Sequence, residues 1–379
     1  MASIHDILRP LTLTKVVSRI AASTQTLLQF MQMQPGGANE QFVGHGREGS
    51  YNIFNNVRAA GLGRAPGTAA ARRARQQVGR VPFVYPRMHE EVWLLAEEVH
   101  NISRISDPRM RDEAGKDYIR NQMRPPAQRA GNWRTMMCVG MLRDSLYVVE
   151  SGDDWYFQYA SSGNTFRVNF QMPAGNKTQL DMTGGGSIID TSWDNPAANI
   201  PLHCQNINAA FQELNGGRLS DIHCTATVWN HVMTNDFVAA GAGIANPPFT
   251  QFERKVGAGP DGAPVNEYVA QVNSVPGVMW HVSDDGLDIG APGSESFTKH
   301  WETDAAVFMM DPGTPGVYTM YQGSEPIAEY DNGPESVKIG LSSWSKKSAN
   351  PTGTEIFTLD NALAVNHIPD SVAYGTVVY

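Results

Sequence analysis

The chain has 379 residues, 41% of them hydrophobic, so it can bury a substantial core and is expected to form about two domains. Three cysteines (Cys138, Cys204 and Cys224) are too few for a disulfide framework, which indicates synthesis in a reducing cytoplasm. No run approaches the roughly 18 apolar residues of a membrane span, and Met1 to Asp6 lacks the pattern of a signal peptide.

The net charge of −9 conceals an uneven division along the chain. Residues 1–143 hold 20 Lys and Arg against 11 Asp and Glu (+9), whereas residues 144–379 hold the other 9 basic and 27 acidic residues (−18). The basic part uses arginine almost to the exclusion of lysine, and arginine favours the bidentate pairing found at interfaces. This division predicts contact with nucleic acid or between opposite halves of neighbouring chains, with a solvated surface as the alternative.

An arginine-rich segment follows the first predicted helix, Leu13 to Met33. Eight arginines, one acid and no lysine lie between Arg47 and Arg87. Because this segment has almost no large apolar residues, it cannot offset the entropy of ordering by itself. Short predicted strands at 50–54 and 81–85 flank it, which indicates a long projecting hairpin arm that is ordered by lying on another surface.

A long basic helix is predicted next. Residues 90–105 are predicted to form either a short strand or a helix, because the spacing of their apolar residues does not distinguish the two. Asp107 is a good N-cap and Pro108 suits the first helical position, so a helix is expected to begin there and to run to about Arg143. Pro125 and Pro126 are expected to break or kink it, and we interpret the whole stretch as one long, kinked, basic helix.

The remainder alternates strands and helices. Residues 155–159 and 165–170 predict a β-hairpin, and a helix with Pro201 near its start is expected to end at 215–217. A strand at 222–228 and a short helix at 229–238 complete a predicted second compact domain. Gly and Pro turns then separate further predicted strands, at residues 267–272, 278–282, 305–310, 317–321, 337–341 and 355–359.

No motif predicts a catalytic, cofactor or metal site. His203-Cys204 and His223-Cys224 offer soft ligands but lack the close Cys-x-x-Cys spacing of a zinc knuckle. Residues 284–288 lack the pattern of a calcium loop, and Gly61 to Gly67, which lacks the sequence context of a phosphate-binding loop, is interpreted as a flexible loop. An enzyme whose site is assembled from distant residues stays open as an alternative.

Base-specific DNA recognition is a rival interpretation of the arginines. The arm has no aromatic residue between Phe54 and Phe83 for base stacking, and the whole chain is acidic. Contact with the DNA backbone, independent of base sequence, is therefore the form of DNA binding that we retain for part of the basic surface.

The order of these parts resembles the major capsid proteins of tailed bacteriophages, specifically the lambda E family. The resemblance covers nearly the whole chain. It rests on short sequence segments that are similar to named parts of the family's fold: Phe54 to Pro82 with Ala65 to Thr68 (extended loop), Asp117 to Arg120 and Asn132 to Met137 (spine helix), Trp193-Asp194, Ile207 to Leu214 and Val232 to Val238 (axial domain), and Leu363 to Val365 with Ile368 to Ser371 (closing strand). The family often has an acid where Thr135 stands, which leaves an ion pair there in question.

The resemblance implies an α+β capsid fold with an N-terminal arm, an extended loop hairpin, a long spine helix, a peripheral domain sheet and an axial α/β domain. The expected ranges are 1–45 (N-terminal arm), 46–100 (extended loop and return strand), 101–197 (peripheral domain with spine helix and hairpin), 198–330 (axial domain) and 331–379 (return to the peripheral domain).

The implied function is structural. Hexamers and pentamers would close into an icosahedral shell around double-stranded DNA, assembled in the host cytoplasm and located in the virion. Because the short N-terminus leaves no room for a fused scaffold, a separate scaffolding protein is expected, together with a portal and a decoration protein. The extended loop has no lysine for an isopeptide bond. A shell of the same fold that encloses a protein cargo, as encapsulins do, is the alternative.

Two groups of arginines are the candidate site residues. The first is expected at the inter-subunit interface, on an acidic surface of the next chain contributed by residues after 144: Arg58, Arg64, Arg72, Arg73, Arg75 and Arg80. The second is expected to face DNA from the spine helix: Arg120, Arg124 and Arg129. No cofactor is expected.

Overall fold

The computed structural model describes residues 10–23, 26–43, 48–54, 78–105, 107–151, 154–159, 165–178, 180–241, 247–258, 264–291, 293–327, 336–349 and 352–379. Mixed helices and strands make up these ranges. The helices are α1 (Pro10–Ser23), α2 (Thr26–Phe30), α3 (Ala96–Ser103), α4 (Pro108–Arg143), α5 (Ile200–Leu214), α6 (Ala226–Met233) and α7 (Asp236–Ala240). No helix in these ranges has the length and apolarity needed to cross a membrane.

The strands form several sheets. In chain order they are β1 (Glu40–Phe42), β2 (Glu48–Phe54), β3 (Val78–Val84), β4 (Arg87–Leu95), β5 (Leu146–Ser151), β6 (Asp154–Gln158), β7 (Thr165–Val168), β8 (Lys177–Thr178), β9 (Asp221–Cys224), β10 (Phe249–Ala258), β11 (Pro264–Val272), β12 (Met279–Val282), β13 (Gly286–Ile289), β14 (Ser296–Lys299), β15 (Ala305–Met309), β16 (Tyr318–Gln322), β17 (Ser324–Ile327), β18 (Ser336–Ile339), β19 (Ser342–Ala349), β20 (Thr352–Asn366) and β21 (Val372–Thr376).

Two large sheets organise the fold. A five-stranded sheet has the order β1-β16-β20-β19, and β4 also pairs with β20. A seven-stranded sheet has the order β10-β11-β12-β9-β15-β21-β8. The first sheet packs with α1 and the spine helix α4, whereas the second is covered by α5 and α6. The seven-stranded sheet draws β21 from the end of the chain, so its strands span more than the predicted axial range.

Capping residues define both ends of the spine helix α4. The Asp107 carboxylate accepts a hydrogen bond from the Arg109 N–H at 2.8 Å, and Pro108 occupies the first turn, which confirms the predicted start. Asp144 ends the helix in the left-handed conformation (φ 49°) and accepts hydrogen bonds from Arg167 and Lys177. The helix is continuous through both internal prolines, which confirms the prediction of one long helix; a kink there stays a prediction.

Four other predictions need correction. Residues 155–159 and 165–170 do not form a hairpin with each other, because β5 lies between β6 and β7 and pairs with both. The first predicted helix is two helices, α1 and α2. The predicted strand 222–228 ends at Cys224, where Thr225 caps α6, and the predicted helix 229–238 is divided between α6 and α7 because Asn235 caps a new helix.

The undecided stretch 90–105 contains both elements, since β4 runs to Leu95 and α3 follows at once. The remaining predicted strands are confirmed with boundaries shifted by a few residues, except that residues 355–359 belong to the fifteen-residue β20. The proposed domain boundaries stay a prediction.

Candidate functional site

The described part of the arginine-rich segment is the root of a hairpin, which confirms the flanking strands. β2 and β3 pair antiparallel along their whole length, from Glu48 opposite Val84 to Phe54 opposite Val78. Among the described strands, they pair only with each other. We call residues 48–84 the hairpin arm.

Aromatic packing holds the root of the hairpin arm against its own subunit. Tyr51 and Tyr85 are each 2% exposed and belong to the core that contains the C-terminal half of the spine helix. The Phe83 ring contacts the Tyr85 ring edge-on at 4.8 Å, and the Tyr85 hydroxyl donates to the Val43 carbonyl at 3.2 Å. An added Cβ at Gly323 would lie 2.7 Å from the Tyr85 ring, so a glycine is needed where this ring lies on the backbone.

His367 connects the hairpin arm to the five-stranded sheet. Its backbone carbonyl accepts from the Phe54 N–H at 2.8 Å, and its Nδ1 lies 2.7 Å from the Asn52 carbonyl. A carbonyl only accepts, so Nδ1 carries the proton; Nε2 then accepts from the Tyr321 hydroxyl at 3.2 Å. Burial lowers the pKa of His367, and the hydrogen bond to Asn52 offsets this in part, so the neutral ring fits both partners.

The predicted interface arginines fall mostly beyond this root. Arg58, Arg64, Arg72, Arg73 and Arg75 lie outside the described residues. Arg80 is exposed on β3, and its Nε donates to the Ser50 hydroxyl of β2 at 2.6 Å. The structure therefore places one of the six interface candidates, on the exposed surface of the hairpin arm.

The three arginines predicted to face DNA are all exposed on the spine helix, but they differ in their partners. Arg120 lies 3.7 Å from Asp117, one turn away on the same helix. Arg129 contacts both carboxylate oxygens of Glu90 on β4 at 2.7 Å, so its charge is matched within the chain. Arg120 and Arg124 retain the most exposed positive charge of the three.

A buried ion group on the spine helix was missed by sequence reasoning. Arg134, fully buried, makes a bidentate pair with Asp360 of β20 at 2.7 and 2.9 Å and contacts Glu40 of β1 at 2.5 Å. Burial alone would lower the pKa of Arg134, but the charges of Asp360 and Glu40 raise it above its ordinary value. The neighbouring Thr135 hydroxyl donates to the Gly131 carbonyl. The ion pair in this part of the spine helix is therefore made by Arg134 and not by residue 135.

Exposed acids concentrate in one segment after residue 144. Residues 284–304, which include the β13–β14 hairpin, carry six acids and one lysine: Asp284, Asp285, Asp288, Glu295, Glu302, Asp304 and Lys299. All six acids are exposed. Lys299 pairs with Asp284 at 2.9 Å, and Arg143 pairs with Glu302, so most of the negative charge is not compensated by these two cations. We call this segment the acidic hairpin.

A second group of titratable side chains lies on one face of the seven-stranded sheet. His223 of β9 and His281 of β12 are direct register partners, and their rings stack at 4.3 Å. His281 lies between two carboxylates, with Nε2 2.8 Å from Asp221 and Nδ1 2.7 Å from Glu267 of β11. Burial by itself would lower the pKa of His281, but these hydrogen bonds raise it.

Of the two His-Cys pairs noted in the sequence, only His223 belongs to this group. The ring nitrogens of His203 contact Trp193 at 3.1 Å and Asp190 at 2.9 Å, and Cys204 and Cys224 are buried free thiols. Glu267 and His281 were missed as site residues, since nothing in their local sequence brings them beside His223.

Comparison with known proteins gives structural likeness without sequence likeness. No family model and no curated protein matches the sequence. A phage-related protein from Bordetella bronchiseptica RB50 is similar at 11% identity and a TM-score of 0.48, covering 97% of each chain. The capsid of Ralstonia phage GP4 matches at 11% identity and a TM-score of 0.43, covering 92% of this chain and 87% of that one. An encapsulin complex from Synechococcus elongatus PCC 7942 matches at 10% identity and a TM-score of 0.43, covering 88% and 84%.

Proposed function

We propose that this chain is a tailed-bacteriophage major capsid protein of the lambda E kind. Its copies assemble into hexamers and pentamers that close into an icosahedral shell around double-stranded DNA. The protein is structural and acts through repeated association in the host cytoplasm and then in the virion. Scaffolding, portal and decoration proteins are its expected partners.

The hairpin arm is the observation that carries this proposal. Its root is fixed by Tyr51, Tyr85 and His367, whereas its two strands have no third strand beside them among the described residues. A two-stranded hairpin is marginally stable alone in water. An arm that is anchored at one end and rich in arginine beyond it is suited to lie across a neighbouring copy, which adds a heterologous contact at every subunit.

The acidic hairpin is the surface that we propose for the arm of the next subunit. It belongs to the part of the chain with net charge −18, whereas the arm belongs to the part with net charge +9. Opposite potentials on two surfaces favour association and fix its register. Since the two surfaces lie on different regions of the same chain, their contact is head-to-tail, and it repeats around a ring when the rotation between neighbouring subunits closes.

The exposed arginines of the spine helix are proposed to meet DNA through its phosphates. Arg120 and Arg124 carry most of this role, because Glu90 already matches the charge of Arg129. Such contacts are independent of sequence and weaken as salt rises. Particles of an Arg120→Ser/Arg124→Ser variant are expected to hold less DNA; full genome content would contradict this role.

Size-exclusion chromatography followed by negative-stain microscopy tests the proposed function. Capsomers or closed shells are expected from the purified chain, and a discrete monomer or dimer with no larger form would contradict the proposal. Absorbance at 260 and 280 nm on particles from infected or induced cells then separates the two kinds of shell. Nucleic acid inside supports a genome container, and a protein cargo without nucleic acid supports the encapsulin-like alternative.

A further inference from the structure

We propose that His223, Glu267 and His281 bind a divalent transition-metal ion of the zinc class, which joins three strands of the seven-stranded sheet. This inference concerns a different part of the chain from the hairpin arm and does not depend on the proposed assembly.

Sheet register places the three side chains on one face. The strands run in the order β11-β12-β9. His281 is the register partner of His223 on one side and of Val269 on the other, and Glu267 stands two residues before Val269. Because side chains alternate along a strand, Glu267 shares the face of Val269 and therefore that of both histidines.

The ligand atoms are already close together. One ligand atom from each of the three residues lies within 4.8 Å of the other two. Ligand atoms around a tetrahedral zinc ion lie about 3.4 Å apart, given metal–ligand bonds of about 2.1 Å. If the longest of the distances between these ligand atoms, at most 4.8 Å, shortened to about 3.4 Å, the three residues would occupy three of the four positions of a tetrahedral site. Two imidazoles and a carboxylate form a donor set that zinc accepts.

Buried atoms without partners point to a missing ligand. His223 is 3% exposed, and within the described ranges its Nε2 has no hydrogen-bond partner. Oε2 of Glu267 is likewise buried and unpartnered there. A buried polar atom without a hydrogen bond is costly, and two such atoms in one cluster require an explanation. A shared cation would satisfy both.

Asp221 supplies the supporting contact that metal-bound histidines usually have. Its Oδ1 lies 2.8 Å from Nε2 of His281, which fixes the ring and leaves Nδ1 toward Glu267. An ion that replaces the proton on Nδ1 would leave two carboxylates, two neutral imidazoles and one dication. The buried group would then carry no net charge, which favours binding in a low-dielectric interior.

A cavity adjoins two of the three proposed ligands and lies under the N-terminal region. A cavity of about 350 Å³ is lined by His223 and Glu267, and also by His300 and Trp301. The Phe30 ring of α2 lies 4.6 Å from His281 and 5.3 Å from His223. The cavity provides room for water as a further ligand, and the ion would brace the sheet beneath α2.

Zinc binding to the full chain tests the site directly. After dialysis against EDTA, Zn²⁺ is titrated by calorimetry, and retained zinc is counted by mass spectrometry. One ion per chain and a higher melting temperature are expected, because a ligand that binds only the folded state stabilises it. A wild-type chain that retains no zinc and whose melting temperature Zn²⁺ leaves unchanged overturns the proposal, in favour of a metal-free buried ion group.

Matched variants locate the ion. His223→Phe keeps the ring stack but removes the ligand nitrogen, and Glu267→Gln keeps an acceptor for His281 but removes the charge. Each is expected to weaken zinc binding at least tenfold, since even supporting residues contribute about 10–100-fold. His203→Gln is the control and is expected to bind like wild type. Zinc binding that survives both substitutions overturns the assignment; if the variants do not fold, the wild-type measurement decides.

Discussion

At the residue scale, two buried polar groups hold distant parts of the chain together. Arg134 joins the spine helix to β20 and β1, and His367 joins the hairpin arm to the five-stranded sheet. Neither could be predicted from local sequence, because Asp360 lies 226 positions from Arg134 and Asn52 lies 315 from His367. An arginine in a basic helix is indistinguishable from its solvated neighbours until the fold brings an acid to it.

Arg134→Met is predicted to be strongly destabilising. The substitution leaves Asp360 buried without its counter-charge, which typically costs about 3–5 kcal/mol. Arg129→Met on the same helix is the control, because it removes an exposed pair worth about 0–1 kcal/mol. Urea unfolding followed by circular dichroism compares the two variants with wild type. Equal, small losses of unfolding free energy would show that the Arg134 pair is unimportant.

The root of the hairpin arm is predicted to loosen in acid. His367 has a folded-state pKa below its ordinary value of 6.5, so the unfolded state takes up a proton first as the pH falls. The stabilisation is therefore complete above about pH 6.5 and is lost as the pH falls toward the lower folded-state pKa. Hydrogen exchange at the Phe54 amide, corrected for intrinsic rate, is expected to be faster at pH 5.5 than at pH 7.5.

His367→Gln is the control for this pH dependence. Glutamine can donate to the Asn52 carbonyl but does not titrate, so its Phe54 amide should show much less change between the two pH values. The same pH dependence in both proteins would assign the loosening to another group.

At the element scale, strong local sequence signals were sufficient to locate several elements. Strand pairing between distant parts of the chain could not be predicted. Asp107-Pro108 defined the start of the spine helix, and the strands flanking the arginine-rich segment were located because each is short and bounded by polar residues. β5 was missed although Leu146 to Val149 is an apolar, β-branched run, since its partners β6 and β7 read as a self-contained hairpin. The length of β20 depends on its pairing with β4, β16 and β19. A short stretch of sequence around β20 does not contain all of these partners, so the length could not be predicted from it.

The charge of the hairpin arm is predicted to drive association between chains. Replacing Arg72, Arg73, Arg75 and Arg80 with serine should lower shell yield and reduce its dependence on salt. Four exposed ion pairs would contribute about 1–4 kcal/mol to each contact. Shell yield measured by sucrose-gradient sedimentation across a salt series tests this. Unchanged assembly at every ionic strength would exclude the proposed docking.

An equal change of charge elsewhere is the control for that variant. Four exposed cations of the spine helix can be replaced with serine: Arg109, Lys116, Arg120 and Arg124. This control is expected to retain empty-shell assembly, because the proposed role of that surface is DNA contact. A loss of assembly equal to that of the arm variant would indicate an effect of net charge alone.

At the scale of the whole molecule, the described residues bury three hydrophobic clusters that give the chain a folded body of its own. The first includes the root of the hairpin arm and the end of the spine helix, and the second lies against the seven-stranded sheet. The sequence indicated two compact parts and a projecting arm, but it could not place the strand of the chain end, β21, beside β15 and β8. A folded body with an arm rooted in it is the basis of the proposed shell.

Removing the arm beyond its root tests that proposal most directly. Phe54 and Val78 are register partners, so a short flexible Gly-Ser loop can replace residues 55–77 and connect the two strands while keeping the root. Sedimentation velocity compares this variant with wild type under assembly conditions. Wild type is predicted to form capsomers or shells, and the shortened chain is predicted to sediment as a folded monomer. Assembly of the shortened chain to the wild-type extent, or a wild type that stays monomeric, would contradict the account.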